Sequence, residues 1–453
     1  MRRNSQFVPV ATLVMLFAVD QACAAEEDRA PRPNIVFIMA DDLGYADCGF
    51  NGGKQIKTPQ LDKLAAAGTV LESFYAQPVC SPTRAALMTG RYPMRHGLQV
   101  GVITPGASFG LPLDERTLAD ALRDAGYKTI ISGKWHLGDF EQAYLPNQRG
   151  FDHAYGHYFG ALDYFTRQRD GKLDWFRNGD QLQEEGYNTH LIAAEAVKMI
   201  GEQSGDQPFF LYVPFNAVHS PFQVPAEYMT PYGDLPEPRR KLAGMLAAMD
   251  EAVGQIVDAV ERQGLRDQTL FVFSSDNGGP GPGKVTDNTP LRGGKGGLYE
   301  GGVRVCAFAT WDGHVPAGSR NNQPLHMVDW FPTLIQLAGG SLTKEKQPLP
   351  LDGRDLWPTL TAGKPSPHEE ILLNTTPSRG AIRVGDWKLK LLTRQNSEEV
   401  ELFNLAADIA EKKNVADAYP EKAKDLRARY DHLAAQAVPP KNKEKQEAGD
   451  ESK

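Results

Sequence analysis

The chain has 453 residues, of which 41% are hydrophobic and 23% are charged, and its formal net charge at pH 7 is -8. This balance is typical of a globular protein with a large core and excludes a disordered chain. The acidic charge argues against nucleic acid as a partner, because a protein that binds a polyanion carries an excess of basic residues. Any anionic substrate must therefore meet a local cluster of basic side chains.

The first 24 residues have the pattern of a secretory signal peptide. Arg2 and Arg3 precede an apolar stretch over residues 7–19, and the small residues Ala22 and Ala24 follow it. A signal peptidase recognises this combination, whereas a membrane anchor would need a longer apolar run. We predict cleavage after Ala24, export to a periplasm or the cell exterior, and no stable insertion in a membrane.

Four apolar segments of strand length each lead into polar residues. They span residues 34–40, 127–131, 209–213 and 270–275. Separated by helix-like patterns, they predict an α/β fold with a mostly parallel sheet covered on both faces. Ligands of open α/β sheets bind at the carboxyl ends of the strands. We therefore expect the polar residues after the four segments to converge on one crevice.

Helices are predicted where Pro or a capping residue starts an amphipathic segment and Gly ends it. Three such segments are residues 58–67 with a Thr58 cap and Gly68 as the stop, residues 80–89 before Gly90, and residues from about 239 to 263 before Gly264.

The segment Cys80-Ser81-Pro82-Thr83-Arg84 opens the second of these helices. Unpaired backbone N–H groups and the positive end of the helix dipole face Cys80, and Arg84 lies one turn further on. An anion bound over residue 80 would be stabilised there, and sulfate fits that description. The alternative is a buried or disulfide-bonded cysteine beside a helix.

An acidic group follows the first and last strand segments: Asp41, Asp42, Asp276 and Asn277. These side chains supply oxygen ligands, which suit calcium or magnesium better than zinc, and we predict calcium. The alternative is that they form strand-end turns or helix caps, which are the commonest uses of Asp and Asn.

Three cations and two histidines complete the predicted site: Arg84, Lys134, Lys295, His136 and His219. The cations would surround an oxyanion, and the histidines would move protons. Lys134 and His136 lie two apart in a segment expected to be extended, so their side chains would point to the same side. Lys295 lies among glycines at 293–297, which allow a close approach of the backbone.

These motifs, in this order, resemble the sulfatase family, and the match is closest to its arylsulfatase B (N-acetylgalactosamine-4-sulfatase) branch. The resemblance covers nearly the whole mature chain and includes Gly-Lys-Trp-His-Leu-Gly at 133–138. It implies an alkaline-phosphatase-like mixed sheet flanked by helices, followed by a smaller C-terminal α+β domain. We expect a catalytic domain over 25–346, a subdomain with an antiparallel sheet over 347–440, and a disordered charged tail over 441–453.

The resemblance also implies the chemistry. A maturation enzyme would oxidise Cys80 to formylglycine (3-oxoalanine), whose hydrate becomes the nucleophile. The ligands of calcium would be Asp41, Asp42, the modified Cys80, Asp276 and Asn277. Arg84, Lys134 and Lys295 would bind the sulfate, His219 would protonate the leaving oxygen, and His136 would assist sulfate release.

The implied function is removal of O-sulfate from a sulfated carbohydrate, with 4-O-sulfated N-acetylgalactosamine of chondroitin or dermatan sulfate as the favoured substrate. The alternatives are algal or other sulfated glycans, phosphonate or phosphate monoesters, and a sugar-binding protein without turnover. Asp163 and Tyr164 lie in an aromatic segment that we interpret as a sugar-contacting loop, against ordinary aromatic packing. Cys48 and Cys306 are left as a possible disulfide pair in an oxidising compartment.

Overall fold

The computed structural model describes residues 1, 32–203, 207–376, 379–394 and 397–442. The predicted signal peptide and nearly all of the predicted charged tail lie outside these residues, so both stay predictions. No helix in the described ranges is long and apolar enough to cross a membrane.

The strands, numbered along the described chain, are β1 Asn34–Ala40, β2 Thr69–Leu71, β3 Phe74–Tyr75, β4 Lys128–Lys134, β5 His153–His157, β6 Gln168–Arg169, β7 Lys172–Leu173, β8 Phe176–Arg177, β9 Asp180–Gln181, β10 Phe209–Pro214, β11 Thr269–Ser275, β12 Ala307–Thr310, β13 Ser319–Asn321, β14 Leu325–His326, β15 Glu370–Thr376, β16 Arg379–Val384, β17 Trp387–Arg394 and β18 Ser397–Asn404.

The helices, numbered in the same way, are α1 Pro59–Ala66, α2 Cys80–Thr89, α3 Leu118–Asp124, α4 Asn188–Gly201, α5 Ala226–Met229, α6 Arg239–Arg262, α7 Glu300–Val303, α8 Trp330–Leu337, α9 Trp357–Ala362 and α10 Pro420–Ala434.

The main sheet has ten strands in the order β13-β2-β12-β11-β1-β10-β4-β5-β8-β9. Its centre, from β11 to β5, is parallel, and antiparallel strands extend it on both sides. The four predicted segments correspond to β1, β4, β10 and β11, which confirms the α/β prediction. Because these strands are parallel neighbours, their carboxyl ends lie at one edge of the sheet.

Helices cover both faces of this sheet, as the alternation of side chains along β1 requires. Val36 and Ile38 pack in a core with residues of α4 and α6, while Ile35 and Phe37 pack in a second core with residues of α2, α3 and α8. Every residue of β1 is buried. Such two-sided burial is typical of a central parallel strand and stabilises the fold by about 1.5–3 kcal/mol for each large apolar side chain.

Two predicted helix ends are confirmed and one cap is wrong. The second helix ends at Gly90, which has φ 65°, and the long helix α6 ends at Arg262, just before Gly264. Thr58 makes no side-chain cap on α1. Its hydroxyl instead donates to Asp62 at 3.0 Å. Gly68 is required for space, because a Cβ there would lie 2.1 Å from a carbonyl oxygen of β12.

A smaller sheet of four antiparallel strands, β15 to β18, lies toward the C-terminus, as expected. Helix α10 covers it, with Leu426 and Tyr430 packed against Ile382 and Leu389 of the sheet. The domain limits given by the sequence stay a prediction.

Candidate active site

The polar residues that follow β1, β4, β10 and β11 meet at the carboxyl edge of the main sheet. Asp41 and Asp42 follow β1 directly, and the amide nitrogen of Asp42 donates to Oδ1 of Asp276, which follows β11, at 3.2 Å. Lys134 ends β4 and its ammonium group contacts the Asp41 carboxylate. The expected convergence is confirmed, although Asp42 and Asp276 are 234 positions apart in the chain.

Cys80 begins α2 and lies below this edge, with only 1% of its surface exposed. Its Sγ atom donates to Oδ1 of Asp41 at 3.4 Å. Burial and the nearby Asp276 and Asp41 carboxylates raise the pKa of the Cys80 thiol well above its usual value. A thiol in this position is therefore protonated and a poor nucleophile at neutral pH.

Arg84 lies one helical turn beyond Cys80 and joins two of the carboxylates. Its Nη2 atom lies 2.9 Å from Asp276 and 3.3 Å from Asp41, and all three side chains are fully buried. Burial alone would raise the pKa of Asp41, but the charges of Lys134, His219 and Arg84 hold it well below its usual value. Burial and the neighbouring Asp41 raise the pKa of Asp276 to about 6.

Lys295 and His219 form the outer wall of the site. Lys295 Nζ lies 2.7 Å from Oδ1 of Asp42, and His219 Nε2 lies 3.5 Å from Oδ2 of the same residue. Their side chains are 23% and 17% exposed, whereas Arg84 and Lys134 are fully buried. Solvent, and hence a substrate, reaches the site on the side of Lys295 and His219.

The tautomer of His219 follows from its hydrogen bond. Its Nδ1 atom lies 2.6 Å from the carbonyl oxygen of Ser220, and a carbonyl oxygen only accepts, so Nδ1 carries a hydrogen. Nε2 is then the atom at which His219 gains or loses a proton. Burial lowers the pKa of His219, and the Asp42 carboxylate partly opposes that shift.

His136 is held in the opposite tautomer. Its Nε2 atom donates to the carbonyl oxygen of Ile103 at 2.9 Å, and its Nδ1 atom is buried without a hydrogen-bond partner in the described part of the chain. Burial, followed by the charges of Lys134 and Arg84, lowers the pKa of His136 well below its usual value. His136 therefore offers a neutral nitrogen with a free lone pair.

The expected extended segment at His136 is wrong. Strand β4 ends at Lys134, and His136 has φ 58°, in the left-handed region. The turn lets its ring reach Ile103, and the tight packing leaves no room at Gly160, where a Cβ would lie 2.5 Å from the ring. The predicted reason for Lys134 and His136 to point to the same side, an extended backbone through residue 136, is therefore wrong.

The acidic residues fit a hard cation. Asp41, Asp42, Cys80 and His219 each bring one potential ligand atom within 4.8 Å of the others, and this is the only such group found in the described chain. Asn277 donates to Asp42 at 2.8 Å through its Nδ2, while its buried Oδ1 has no hydrogen-bond partner among the described residues. An unpaired amide oxygen beside carboxylates is the donor chemistry that calcium and magnesium bind.

The charges of the site nearly cancel without a cation. Three carboxylates, Asp41, Asp42 and Asp276, face three basic groups, Arg84, Lys134 and Lys295. A divalent cation would leave this pocket with a net positive charge. A sulfate ester would then enter a field of the opposite sign.

Asp163 and Tyr164 are less available than a sugar-contacting loop requires. Oδ1 of Asp163 accepts from two backbone amides of its own turn, and Oδ2 accepts from Gln223 at 2.6 Å. Tyr164 is 1% exposed, and its hydroxyl lies 2.6 Å and 2.8 Å from the carbonyl oxygens of Asn216 and His219. Tyr164 thus supports the segment that carries His219, and substrate contact by either residue stays a prediction.

Several supporting residues were not anticipated from the sequence. The backbone of Ile103 accepts from His136 and, through its amide, donates to Ser81 beside Cys80 at 3.1 Å. Asn288, which is buried, donates to the carbonyl oxygen of Gly293 at 2.9 Å and so supports the loop of Lys295. The only sequence signal for Asn288 is that of a turn residue, and Ile103 has none.

Cys48 and Cys306 are buried and unbonded in the structure. Burial raises the pKa of Cys48 well above its usual value, and a hydrogen bond with the Cys306 thiol contributes. The two thiols are therefore neighbours, and the sequence left open whether they pair.

Comparison with known proteins agrees with this geometry. The family model described as Sulfatase matches residues 33–341. Arylsulfatase J of Mus musculus is 34% identical over 93% of this chain and 79% of its own length. N-acetylgalactosamine-6-sulfatase of Mus musculus is 34% identical over 85% of this chain and 77% of its own length.

A solved structure shows the same relationship in three dimensions. The crystal structure of Ps i-CgsB in complex with k-i-k-neocarrahexaose has a TM-score of 0.83 and 35% sequence identity, and the match covers 90% of this chain and 94% of that one. Together with the strand-end cluster of carboxylates, cations and Cys80, these matches show that the chain belongs to the sulfatase family and is a sulfuric ester hydrolase.

Proposed function

We propose that this sulfatase removes O-sulfate from a sulfated oligosaccharide by means of a formylglycine at position 80 and a bound calcium ion. The observation that carries the proposal is the position of Cys80, buried at the start of α2 and within 3.4 Å of Asp41. Since the thiol itself is protonated there, an oxidised side chain is the better nucleophile. As an aldehyde hydrate it would supply one hydroxyl that attacks sulfur while the bond from sulfur to the sugar oxygen breaks. Loss of the proton from the second hydroxyl would then re-form the aldehyde and break the C–O bond to the sulfate.

The residues of the chain would bind and orient the sulfate group. Arg84 and Lys134 lie at the base of the pocket and Lys295 at its mouth, so negative charge that develops on the sulfate oxygens meets fixed positive charge. Calcium, held by Asp41, Asp42, Asp276, Asn277 and the modified residue 80, would supply further electrostatic stabilisation.

The two histidines would move protons in opposite directions. His219, at the exposed mouth, would donate a proton from Nε2 to the sugar oxygen as the ester bond breaks. His136, whose buried Nδ1 has a free lone pair, would accept a proton from the hydroxyl at residue 80 when sulfate is released. Their different tautomers suit these different roles.

The favoured substrate is 4-O-sulfated N-acetylgalactosamine of chondroitin or dermatan sulfate. A second candidate is a sulfated algal galactan, which is favoured by the similarity to Ps i-CgsB, whose structure contains k-i-k-neocarrahexaose. Both are sulfated oligosaccharides, and the proposed site would bind the sulfate group common to them.

The test is sulfate release by the full chain, produced with a formylglycine-generating maturation enzyme and supplied with calcium. Defined disaccharides carry one sulfate at position 4 or 6 of galactosamine or on glucosamine, and carrageenan oligosaccharides form a separate series. Release from the galactosamine 4-sulfate alone supports the first substrate, and release from carrageenan alone supports the second. The absence of release from every substrate, with the aldehyde verified by peptide mass, would contradict the proposal.

Cys80→Ala isolates the proposed nucleophile. We expect turnover to fall below detection while the free energy of unfolding stays close to that of the unsubstituted protein. Calcium should still bind, with lower affinity, because Asp41, Asp42, Asp276 and Asn277 remain. Cys306→Ala is the matched control, because it also truncates a buried cysteine but lies outside the site. Full activity in Cys80→Ala contradicts the mechanism.

We also propose that the protein is exported and that residues 1–24 are removed. The supporting pattern is the basic start, the short apolar stretch and the small residues before position 25. N-terminal sequencing of the mature protein should give Ala25 as the first residue, and an intact Met1 in the exported fraction contradicts the prediction.

A further inference from the structure

The loop that carries Lys295 runs from Arg292 to Glu300, where α7 begins. Gly293 and Gly296 both have φ 80°, a left-handed conformation that other residues adopt only at an energetic cost. Glycine adopts many other conformations equally well, so these two residues do not by themselves fix the shape of the loop. Its middle is held by hydrogen bonds that include those from the amide of Gly296 to the carbonyl oxygen of Pro78 at 2.7 Å and from the amide of Lys295 to the carbonyl oxygen of Gly279 at 3.3 Å. The position of Lys295 also depends on how firmly the two ends of the loop are fixed.

One residue outside the main sheet binds both ends of this loop. The carbonyl oxygen of Glu411 accepts from Nη1 of Arg292 at 2.7 Å, and its carboxylate accepts from the amide nitrogen of Glu300 at 2.5 Å. Glu411 lies more than one hundred residues further along the chain, after β18. It thus closes the loop as a clamp, through its backbone at one end and its side chain at the other.

Glu411 is itself firmly placed. It is fully buried, and Lys388 of β17 lies 3.0 Å from its Oε1 and 2.8 Å from Oε1 of Glu300. Its φ of 49° lies in the left-handed region, which a residue other than glycine adopts only when its surroundings enforce it. The buried carboxylate and the left-handed backbone of Glu411 together indicate that its contacts to both ends of the loop require this conformation.

The C-terminal sheet adds further contacts to the same loop. The hydroxyl of Tyr299 donates to the Glu401 carboxylate of β18 at 2.9 Å, and Nη2 of Arg379, on β16, donates to the carbonyl oxygen of Gly296 at 2.9 Å. The loop of Lys295 is therefore held between the main sheet and the small C-terminal sheet.

We propose that Glu411 is a positioning residue that fixes the Lys295 loop and thereby sets the affinity of the site for the sulfate group. This inference rests on the proposed function, because it takes Lys295 as a contact of the sulfate. Glu411 acts through Lys295, whose ammonium group lies 2.7 Å from Asp42 at the mouth of the site. The C-terminal sheet is then part of the anion site, although it contributes no group that touches the anion.

A double-mutant cycle tests the proposal on the full chain with calcium bound and residue 80 converted. The dissociation constant of inorganic sulfate is measured for the unsubstituted protein, Lys295→Ala, Glu411→Ala and the double variant. We expect Glu411→Ala to weaken sulfate binding about tenfold when Lys295 is present and less than twofold when it is absent. A purely structural role would weaken binding by the same factor in both backgrounds and would overturn the proposal.

Two further variants keep the test decisive. Asp352→Ala is the control, since Asp352 pairs with Arg95 at 2.7 Å in another part of the molecule, and its effect should be the same with and without Lys295. Arg292→Ala removes one end of the clamp and leaves the buried charges of Glu411, Glu300 and Lys388 in place. If Glu411→Ala fails to fold, the cycle with Arg292→Ala decides, and a loss of about threefold only in the presence of Lys295 supports the proposal.

The failure of this proposal differs from failure of the proposed function. If the protein releases sulfate from a glycan but Glu411→Ala has equal effects in both backgrounds, the proposed function stands and the positioning role of Glu411 is wrong. If inorganic sulfate binds with the expected coupling but no glycan is desulfated, the positioning role stands and the proposed reaction is wrong.

Discussion

Nη2 of Arg84 lies 2.9 Å from Oδ2 of Asp276, and neither side chain has any exposed surface. The same nitrogen lies 3.3 Å from Asp41, so one guanidinium group compensates two buried carboxylates. A buried ion pair is not in itself a source of stability, because desolvation offsets the attraction, but the removal of one partner leaves an uncompensated charge. Arg84 therefore has a structural role in addition to any contact with sulfate.

Arg84→Met should lower the free energy of unfolding by about 3–5 kcal/mol in the presence of a chelator. Excess calcium should restore part of this loss, because the cation would neutralise Asp41 and Asp276. Urea unfolding with and without calcium measures both effects. Arg95→Met, which breaks a partly exposed pair with Asp352, should cost about 1 kcal/mol or less. Equal losses in the two variants would contradict the prediction.

Removal of calcium should abolish turnover but leave the protein folded, since the three basic groups already compensate the three carboxylates. At a free calcium concentration one hundred times the dissociation constant, bound calcium should stabilise the fold by about 2.7 kcal/mol. Activity after chelation and thermal unfolding across a calcium titration measure the two effects. Undiminished turnover in the chelated protein contradicts this prediction.

Asn277→Ala should weaken calcium binding at least tenfold, because the unpaired Oδ1 is a proposed ligand. In the chelated protein, the same substitution should cost only about 1 kcal/mol, the typical worth of its hydrogen bond to Asp42. Calorimetric titration of calcium and urea unfolding in chelator separate these effects. Unchanged calcium affinity would remove Asn277 from the ligand set.

Tyr164→Phe should lower kcat about tenfold with a smaller change in KM, because the hydroxyl fixes the backbone that carries His219. The pH dependence of kcat should also shift if His219 moves relative to Asp42. Tyr187→Phe is the control, since its hydroxyl donates to the carbonyl oxygen of Gln223 at 3.1 Å and not to that of His219. The same kcat and pH profile in both variants would show that Tyr164 does not position His219.

His96 provides a test of pH dependence away from the site. Both ring nitrogens are buried without hydrogen-bond partners in the described chain, and burial, followed by the charge of Arg91, lowers the pKa of His96 to about 3. The unfolded chain binds a proton at a pKa of about 6.5 and the folded protein does not, so stability falls as the pH drops below that value.

The comparison with His96→Gln isolates this contribution. Between pH 7.5 and 5.0, the unsubstituted protein should lose about 2 kcal/mol of unfolding free energy relative to the variant, since each pH unit below 6.5 contributes about 1.4 kcal/mol. Urea unfolding at the two pH values measures the difference. A difference that does not change with pH contradicts the assignment of His96 as neutral.

Sequence reasoning located the residues of the site better than their conformations. The strand ends at Asp41 and Asp276 could be predicted, because buried strands are apolar and their ends are not. The turn at His136 could not, since its left-handed backbone is stabilised by Ile103, a residue without a local signal. Glu411 could not be linked to Lys295 either, because the contact joins distant parts of the chain through a backbone carbonyl and a buried carboxylate.

The burial of Cys80 has a consequence for the timing of synthesis. With 1% of its surface exposed and α2 already formed around it, the sulfur is out of reach of any second protein once the chain has folded. An enzyme that oxidises this residue must act while the segment is still extended. Strand β11, which precedes Asp276, is synthesised almost two hundred residues later. During that time residue 80 is accessible in the nascent chain, because the site cannot form without Asp276.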